Sequence, residues 1–249
     1  MASPLDQFRI TEIVRFGTIG ESPVALTNSG LYMMIVVGLI VGGMMMSTRA
    51  TALVPNRWQS FTETLYEFVA NMLRESTGKE GMRFFPLVFS LFLFVLVANL
   101  VGMVPGAFTV TSHIIVTFAL AILVIGTVVI YGFIKHGTHF LGLFVPSGVP
   151  VWLLPFITVI EIISFLSRPI SLSLRLFANM LAGHIALKVF AGFIVSLLAT
   201  AGFASILAPL PFLMTIAMVA FEIFVAGLQA YVFTVLTCIY LNDALHPGH

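Results

Sequence analysis

The segment LRLFANMLAGH, residues 174–184, places an arginine, an amide and an imidazole in a stretch otherwise apolar enough to lie in a membrane. These groups are Arg175, Asn179 and His184, and a second apolar stretch carries Glu222 and Gln229. Carboxylates and imidazoles can take up and release protons, whereas an arginine keeps its proton at any relevant pH. The residue types therefore favour proton transfer that is interrupted by one fixed positive charge.

The composition places these groups in an integral membrane protein. The 249 residues are 59% hydrophobic and 8% charged, and the mean hydropathy is +1.11. Soluble domains carry roughly 25% charged residues, so this chain has too few charges to cover a soluble surface. The sequence contains no basic run that would indicate nucleic-acid binding, and its single cysteine, Cys238, excludes an internal disulfide.

The apolar stretches predict an all-α integral membrane protein with a single membrane domain over residues 1–249. A membrane helix needs about 20 apolar residues to cross a hydrocarbon core of roughly 30 Å. Five stretches meet this requirement: 26–47, 84–104, 113–134, 151–197 and 203–241. The last two are longer than a perpendicular span needs, so each is either one strongly tilted helix or a helix broken in two. The fold class that we expect has these two helices long, tilted and antiparallel.

Residues 58–75 predict an amphipathic helix rather than a span. Apolar side chains recur there at helical spacing, with charged residues between them, which is typical of a helix on a membrane surface or against a partner. Five spans place the two ends of the chain on opposite sides of the membrane. Most flanking basic residues share the side of the C-terminus, so the positive-inside rule places that side in the cytoplasm or its equivalent. Residues 1–25 then lie on the outer side.

The polar residues of the last two spans form a pattern with two faces. On a straight helix of 100° per residue, Glu161 and Asn179 lie within about 40° of the direction of Arg175, and His184 faces about 180° away. One antiparallel register brings three pairs to similar depths: Arg175 with Gln229, Glu161 with Asp243, and His184 with Glu222. Two polar half-paths would then approach Arg175 from opposite membrane faces without joining.

Four segments of the sequence resemble the a subunits of F-type ATP synthases. They are RPISLSLRLFANMLAGH (168–184), FEIFVAGLQAYVFTVLTCIYL (221–241), TSHIIVTFALA (111–121) and ANLVGMVPGAF (98–108). The resemblance covers nearly the whole chain. It implies a stator subunit that carries protons beside a rotating ring of c subunits, with the peripheral-stalk b subunits, the remaining ATP synthase subunits and membrane lipid as its other partners. It also implies the bacterial inner membrane, with the N-terminus periplasmic and the C-terminus cytoplasmic, or alternatively the mitochondrial inner membrane.

The resemblance also assigns roles to individual residues. Arg175 matches the essential arginine of the family, which faces the ring carboxylate, and Asn179 and Gln229 match polar residues beside it. The remaining matches are His184 and Glu222 in the outer half-channel, and Glu161 and Asp243 in the cytoplasmic half-channel. Some bacterial members carry the carboxylate and the imidazole in exchanged positions. The order in this chain is that of mitochondria and their bacterial relatives, and the polar segment that begins at Met1 favours an alphaproteobacterium-like cell.

Other interpretations of the same residues stay open at this point. A self-contained secondary transporter would also bury charges, although inverted repeats or broken helices are then expected. A purely structural membrane anchor would explain the apolar bulk but not the spaced Arg, His and Glu residues. Arg168 is expected to snorkel, or to pair with Glu161 or a lipid phosphate, and Asp243 could be merely interfacial. We predict no cofactor, and no metal site because His136 and His139 have no apparent third ligand. The sequence contains no GxxxxGK[ST] phosphate loop, so we expect nucleotide chemistry in other subunits and no enzymatic activity of the chain alone.

Overall fold

The computed structural model describes residues 8–19, 22–49, 55–104, 106–145, 150, 152–200 and 207–246. The chain is folded mainly into helices: α1 Asn28–Thr48, α2 Arg57–Thr77, α3 Phe85–Gly102, α4 Ile114–His136, α5 Leu154–Ala199 and α6 Pro209–Leu245. All of these except α2 belong to the five candidate membrane spans, which are long and apolar enough to cross a membrane. The predicted fold class, five membrane helices and one amphipathic helix, is confirmed.

The last two spans are continuous helices. Helix α5 has 46 residues and includes Pro169 without ending there, and α6 has 37 residues and begins at Pro209. A proline suits the first helical position because its missing N–H would have no helical partner there. At 1.5 Å per residue the two helices measure about 69 and 55 Å, well beyond a hydrocarbon core of roughly 30 Å, which favours the expected steep tilt. The predicted starts at residues 151 and 203 lie outside the described residues.

A β-hairpin precedes α1 and is absent from the sequence-based prediction. Strands β1 Glu12–Ile19 and β2 Ser22–Thr27 pair antiparallel, with Glu12 opposite Thr27. Asn28 joins the hairpin to α1. Its side-chain oxygen accepts hydrogen bonds from the backbone N–H of Thr11 and of Ser29, and its amide donates to the carbonyl of Arg9. The side chain of Asn28 therefore satisfies a free donor in the first turn of α1 and ties the hairpin to the helix.

Helix α2 has the amphipathic character that its sequence predicts. The side chain of Asn56 accepts a hydrogen bond from the Arg57 N–H, and Gly78 ends the helix with a φ of 66°. The buried residues are Val69, Ala70, Leu73 and Thr77, whereas Trp58 and Phe61 are 70% and 57% exposed. The largest apolar side chains at the start of α2 are therefore free to meet a membrane surface or a partner.

Packing divides the chain into two compact units. The first unit comprises Met1–Ile40, Phe94–His113 and Leu176–Gln229, and the second comprises Val41–Leu93, Ile114–Arg175 and Ala230–His249. Each unit contains part of α5 and part of α6, so the polar residues of the two helices are described unit by unit below. The single membrane domain expected from the sequence stays a prediction.

The second unit fixes the end of α6. Lys135 Nζ donates to the carboxylate of Glu80 over 2.7 Å and to the carbonyl of Leu245 over 3.3 Å, and His136 Nε2 donates to the same carbonyl over 3.1 Å. Carbonyls in the last turn of a helix lack helical partners, so these donors cap α6. The loop expected around 137–150 begins as a 3₁₀ helix, Gly137–Phe144.

Candidate functional site

The first unit buries the carboxylate of Glu222 against a glycine. The Glu222 side chain is 5% exposed, and its Oε2 atom has no hydrogen-bond partner among the described residues. A Cβ atom added to Gly183 would overlap the Glu222 carboxylate. Glycine is the residue that permits so close an approach of a side chain to the backbone, so Gly183 on α5 makes the space that Glu222 of α6 occupies.

His184 follows Gly183 and is also buried. Its Nε2 atom lies 3.0 Å from the hydroxyl oxygen of Thr109, and the ring of Phe8 packs edge-on against it at a centroid distance of 6.3 Å. No ion pair or hydrogen bond joins His184 to Glu222 in the described part of the chain. The register placed these two residues at similar depth, and in the structure Glu222 contacts the preceding residue, Gly183, while His184 bonds Thr109.

An amide pair follows along the same two helices. Asn179 Nδ2 donates to Gln229 Oε1 over 2.9 Å. Gln229 is 3% exposed, and its own amide nitrogen has no partner among the described residues. The register from the sequence predicted Arg175 beside Gln229, whereas the neighbour that the structure gives Gln229 is Asn179, one helical turn further along α5.

A cleft of about 470 Å³ lies between α5 and α6 in the first unit. Asn179, Gly183 and Glu222 line it together with apolar side chains such as Met218 and Phe221. Most of the remaining wall is aliphatic, so the cleft presents a few polar groups inside apolar surroundings. The arrangement can admit a small polar species to the carboxylate of Glu222.

Further buried polar atoms of the first unit have no hydrogen-bond partner in the part of the chain that the structure describes. They are Asn99 Oδ1, Thr111 Oγ1 and His113 Nε2, in addition to the atoms of Glu222 and Gln229 described above. Buried polar groups in proteins are nearly always hydrogen-bonded, to protein or to ordered water, so such a concentration is typical of a region that water enters. Sequence reasoning did not place Asn99, Thr111 or Gly183 in this site.

One of these residues carries a signal in the sequence. Gly183 lies in the interior of a long helix, where glycine costs roughly 0.5–1 kcal/mol relative to alanine, and such a position suggests a close packing contact. Thr109 and Thr111 carry no comparable signal, because isolated threonines are common in membrane spans and in their connections.

The second unit contains Arg175. Its side chain is exposed on α5, and the ion pairs of the described residues do not include it. No hydrogen bond from its side chain is found there either. A permanent positive charge is therefore presented on the surface of a membrane-spanning helix without a counter-charge from the described part of its own chain.

Arg168 and Asp243 form the ion pair between α5 and α6 in this unit. Arg168 Nη1 donates to Asp243 Oδ2 over 2.6 Å, and the guanidinium lies over the rings of Phe165 and Tyr240 at 5.4 and 5.1 Å. The register placed Asp243 at the depth of Glu161, whereas its ion-pair partner in the structure is Arg168, two turns further along α5. Glu161 itself is half-buried and is absent from the ion pairs of the described residues.

Comparisons with known proteins agree on one family. The family model described as ATP synthase A chain matches residues 30–242. Three bacterial relatives named ATP synthase subunit a cover nearly the whole chain. The protein of Azorhizobium caulinodans is 64% identical over 247 residues, 99% of this chain and 98% of the relative. That of Methylobacterium sp. (strain 4-46) is 62% identical over 246 residues, 99% and 98%, and that of Afipia carboxidovorans is 59% identical over 249 residues, 100% of both.

A match of this extent, on a chain with five helices long and apolar enough to span a membrane, establishes the family. The chain belongs to the ATP synthase A chain family.

Proposed function

We propose that the chain conducts protons through two offset half-channels, which deliver them to and collect them from carboxylates on a rotating c ring. Membership in the family makes the chain a membrane component of an ATP synthase. In this proposal Arg175 separates the two half-channels. A proton can then cross the membrane only by travelling on the ring, so that proton flow drives rotation and ATP synthesis in other subunits.

The exposed side chain of Arg175 is the observation that carries the proposal. A charged side chain at membrane depth costs about 2.5–3.5 kcal/mol on insertion scales, and Arg175 has no ion pair among the described residues. Such an arginine calls for a negatively charged partner outside the chain. A carboxylate on each c subunit would supply that partner in turn, because a positive charge nearby favours the ionised form of a carboxyl group.

The outer half-channel runs through Glu222, His184, Gln229 and Asn179. Glu222 and His184 can each gain and lose a proton, and the amides of Asn179 and Gln229 supply hydrogen bonds beside them. The support for this path is the burial of Glu222, His184 and Gln229, together with the partnerless atoms of Glu222 and Gln229. A proton that reaches the ring carboxylate neutralises it, and a neutral carboxyl group can face lipid at low cost.

The inner half-channel runs past Glu161 and Asp243 to the cytoplasm. Glu161 is half-buried and has no ion pair among the described residues, so it can exchange a proton with water. Asp243 is held by Arg168 and contributes mainly a fixed negative charge. In this orientation the N-terminus is periplasmic. Each proton that crosses yields about 2.3 kcal/mol per 100 mV of membrane potential.

The proposal extends to the partners of the chain. The exposed surfaces of α5 and α6 would face the c ring, and the peripheral-stalk b subunits would hold the chain against the torque of the ring. The exposed aromatic residues at the start of α2 suit either a lipid surface or a partner of this kind.

The substitution Arg175→Ala in the assembled complex tests the proposal. We expect ATP-driven acidification of inverted membrane vesicles to fall to background, while the passive proton leak under an imposed potential is retained or increased. The matched control is Arg74→Ala, which removes another exposed arginine, on α2. Incorporation of the subunit is checked for both variants. Near-normal pumping by Arg175→Ala would sink the proposal and leave Arg175 a structural residue.

A further inference from the structure

The hydroxyl group of Thr109 reaches the imidazole of His184 in the first unit. Thr109 Oγ1 lies 3.0 Å from His184 Nε2, and both residues are buried. Thr109 belongs to the connection between α3 and α4 and directly precedes the short 3₁₀ helix Val110–Ser112. The hydrogen bond therefore joins a residue outside the long helices to the imidazole that we place in the outer half-channel.

The same hydroxyl bonds the end of α3. Thr109 Oγ1 donates to the carbonyl of Gly102 over 3.3 Å. Gly102 is the last residue of α3, where carbonyls lack helical partners. A Cβ atom at Gly102 would lie 2.7 Å from the Thr109 methyl group, so the glycine is what lets the threonine sit against the helix end.

These two hydrogen bonds form together only when Nε2 of His184 carries the proton. A hydroxyl has a single proton to donate. Since Thr109 donates it to Gly102, the hydroxyl oxygen must accept a hydrogen bond from Nε2–H of His184. A neutral imidazole with its proton on Nε2 has its lone pair on Nδ1. Nδ1 is then the atom that can take up a proton, and protonation there leaves the bond to Thr109 intact.

We propose that Thr109 is a positioning residue for proton transfer, which holds neutral His184 in the Nε2–H tautomer so that protons enter and leave at Nδ1. The proposal rests on the proposed function, in which His184 relays protons. Its only chemical step is a proton transfer: a proton binds the Nδ1 lone pair to give an imidazolium, and later leaves from the same atom. Without the hydroxyl, the ring is free to adopt the other tautomer or to turn, so fewer molecules present Nδ1 to the path.

The first test compares Thr109→Val, which keeps the shape of the side chain but removes its oxygen, with Thr109→Ser, which keeps the oxygen. ATP-driven acidification is measured in membrane vesicles that contain the intact complex. We expect Thr109→Val to reduce the pumping rate between about threefold and tenfold, the range that the loss of one hydrogen bond predicts. We expect Thr109→Ser to restore the rate to within about twofold of the wild type.

The matched control is Thr117→Val. Thr117 is fully buried on α4, and its hydroxyl donates to the carbonyl of Ile114 in its own helix. We expect this variant to pump at the wild-type rate. Should Thr109→Val not be incorporated into the complex, Gly102→Ala replaces it, because the added methyl group displaces Thr109 and leaves its hydroxyl in the chain. The same reduction in pumping is expected of Gly102→Ala.

A double-mutant cycle separates this proposal from the proposed function. If Thr109 acts through His184, then Thr109→Val in a His184→Gln background should lower the remaining rate by less than about twofold, since coupled residues are not additive. A His184→Gln variant with wild-type pumping would remove His184 from the path, and the proposed outer half-channel would fail with it. Suppose that His184→Gln pumps poorly, whereas Thr109→Val or Gly102→Ala is incorporated and pumps at the wild-type rate. This result would overturn the role of Thr109 and leave that of His184 in place. So would a Thr109→Val defect of equal size in both backgrounds.

Discussion

The Arg168–Asp243 pair of the second unit and the buried Glu222 and Gln229 of the first unit differ in how completely hydrogen bonds satisfy them. In the second unit, Arg168 and Asp243 form a 2.6 Å ion pair beside two aromatic rings. In the first unit, Glu222 and Gln229 are buried, and each keeps a polar atom without a partner in the described chain. An ion pair holds helices together, whereas a partnerless acid or amide is available to water and protons. The contrast favours a role in holding α5 and α6 together for the Arg168–Asp243 pair, and a role in proton transfer for Glu222 and Gln229.

The largest effect that tests this contrast is expected from Gly183→Ala. The added methyl group would overlap the carboxylate of Glu222, and overpacking of a tight site costs typically 1–3 kcal/mol. We expect the rate of ATP-driven acidification to fall about tenfold or more, because the carboxylate is pushed out of its buried position. The double variant Gly183→Ala/Glu222→Asp, with a shorter acid, should recover part of the rate.

Gly192→Ala is the matched control for this prediction. It adds the same methyl group to the same helix at a position with no atom within 4 Å, where alanine favours the helix by roughly 0.5–1 kcal/mol. Its pumping rate should equal that of the wild type. Wild-type pumping by Gly183→Ala itself would show that the close approach of Glu222 to the backbone has no part in proton transfer.

A smaller effect on pumping, with a larger effect on stability, is expected from Arg168→Gln. This change leaves Asp243 without its partner, and hydrogen bonds to charged groups contribute about 1.5–3 kcal/mol. We expect a value at the lower end of this energy range, because the side chains of Arg168 and Asp243 are 20% and 27% exposed to solvent. We expect a lower temperature for loss of the subunit from the solubilised complex, and a pumping rate within about threefold of the wild type.

The double variant Arg168→Gln/Asp243→Asn sharpens this second prediction. It replaces both charges by neutral amides of similar shape, and removing both partners of a pair is less costly than removing one. The dissociation temperature should therefore rise again toward the wild-type value. If Arg168→Gln instead abolishes pumping while the complex stays as stable as before, the distinction between a holding pair and a transfer site is wrong.

The smallest effect is expected from Asn56→Ala at the start of α2. The variant loses the 2.7 Å hydrogen bond between the Asn56 side chain and the Arg57 N–H, and N-cap substitutions cost about 1 kcal/mol. Hydrogen exchange of the first-turn amides should become about fivefold faster, without any change in pumping. Asn71→Ala, an exposed position inside the same helix, should leave the exchange rate unchanged. A pumping defect in Asn56→Ala would show that the second unit influences transfer through α2.

The membrane helices could be predicted because their signal is strong and local. In a chain with so little charge, a run of about 20 apolar residues has few structural alternatives to a membrane helix. The span predicted at 84–104, for example, agrees closely with α3 at Phe85–Gly102. The hairpin of Glu12–Ile19 and Ser22–Thr27 was missed because its strands are short and mix polar with apolar residues. An isolated two-stranded hairpin is marginal by itself, and the side chain of Asn28 that joins it to α1 is not readable as such from the sequence.

Which residues take part in the site stays a prediction from the sequence, and the sequence did not give which of them touch. The antiparallel contact of the last two helices was foreseen, yet Gln229 and Asp243 contact residues other than those that the register placed beside them. A fixed register assumes parallel axes and short side chains. From the contact of Gly183 with Glu222 to that of Asn179 with Gln229, four residues of α5 correspond to seven of α6. Crossing axes and side chains that reach a full turn along the helix account for such a difference.

The bare backbone at Gly183 has a consequence for how the sequence can vary. A side chain at 183 and the carboxylate at 222 would occupy the same volume. Substitutions at the two positions are therefore coupled, although the positions lie on different helices. A chain that acquires a larger residue at 183 must shorten or remove its acid at 222 in the same lineage. Exchange of acid and imidazole between His184 and Glu222 faces the same constraint, because an imidazole at 222 would also need the glycine. Position 183 should therefore covary with 222 rather than with its own neighbours along the helix.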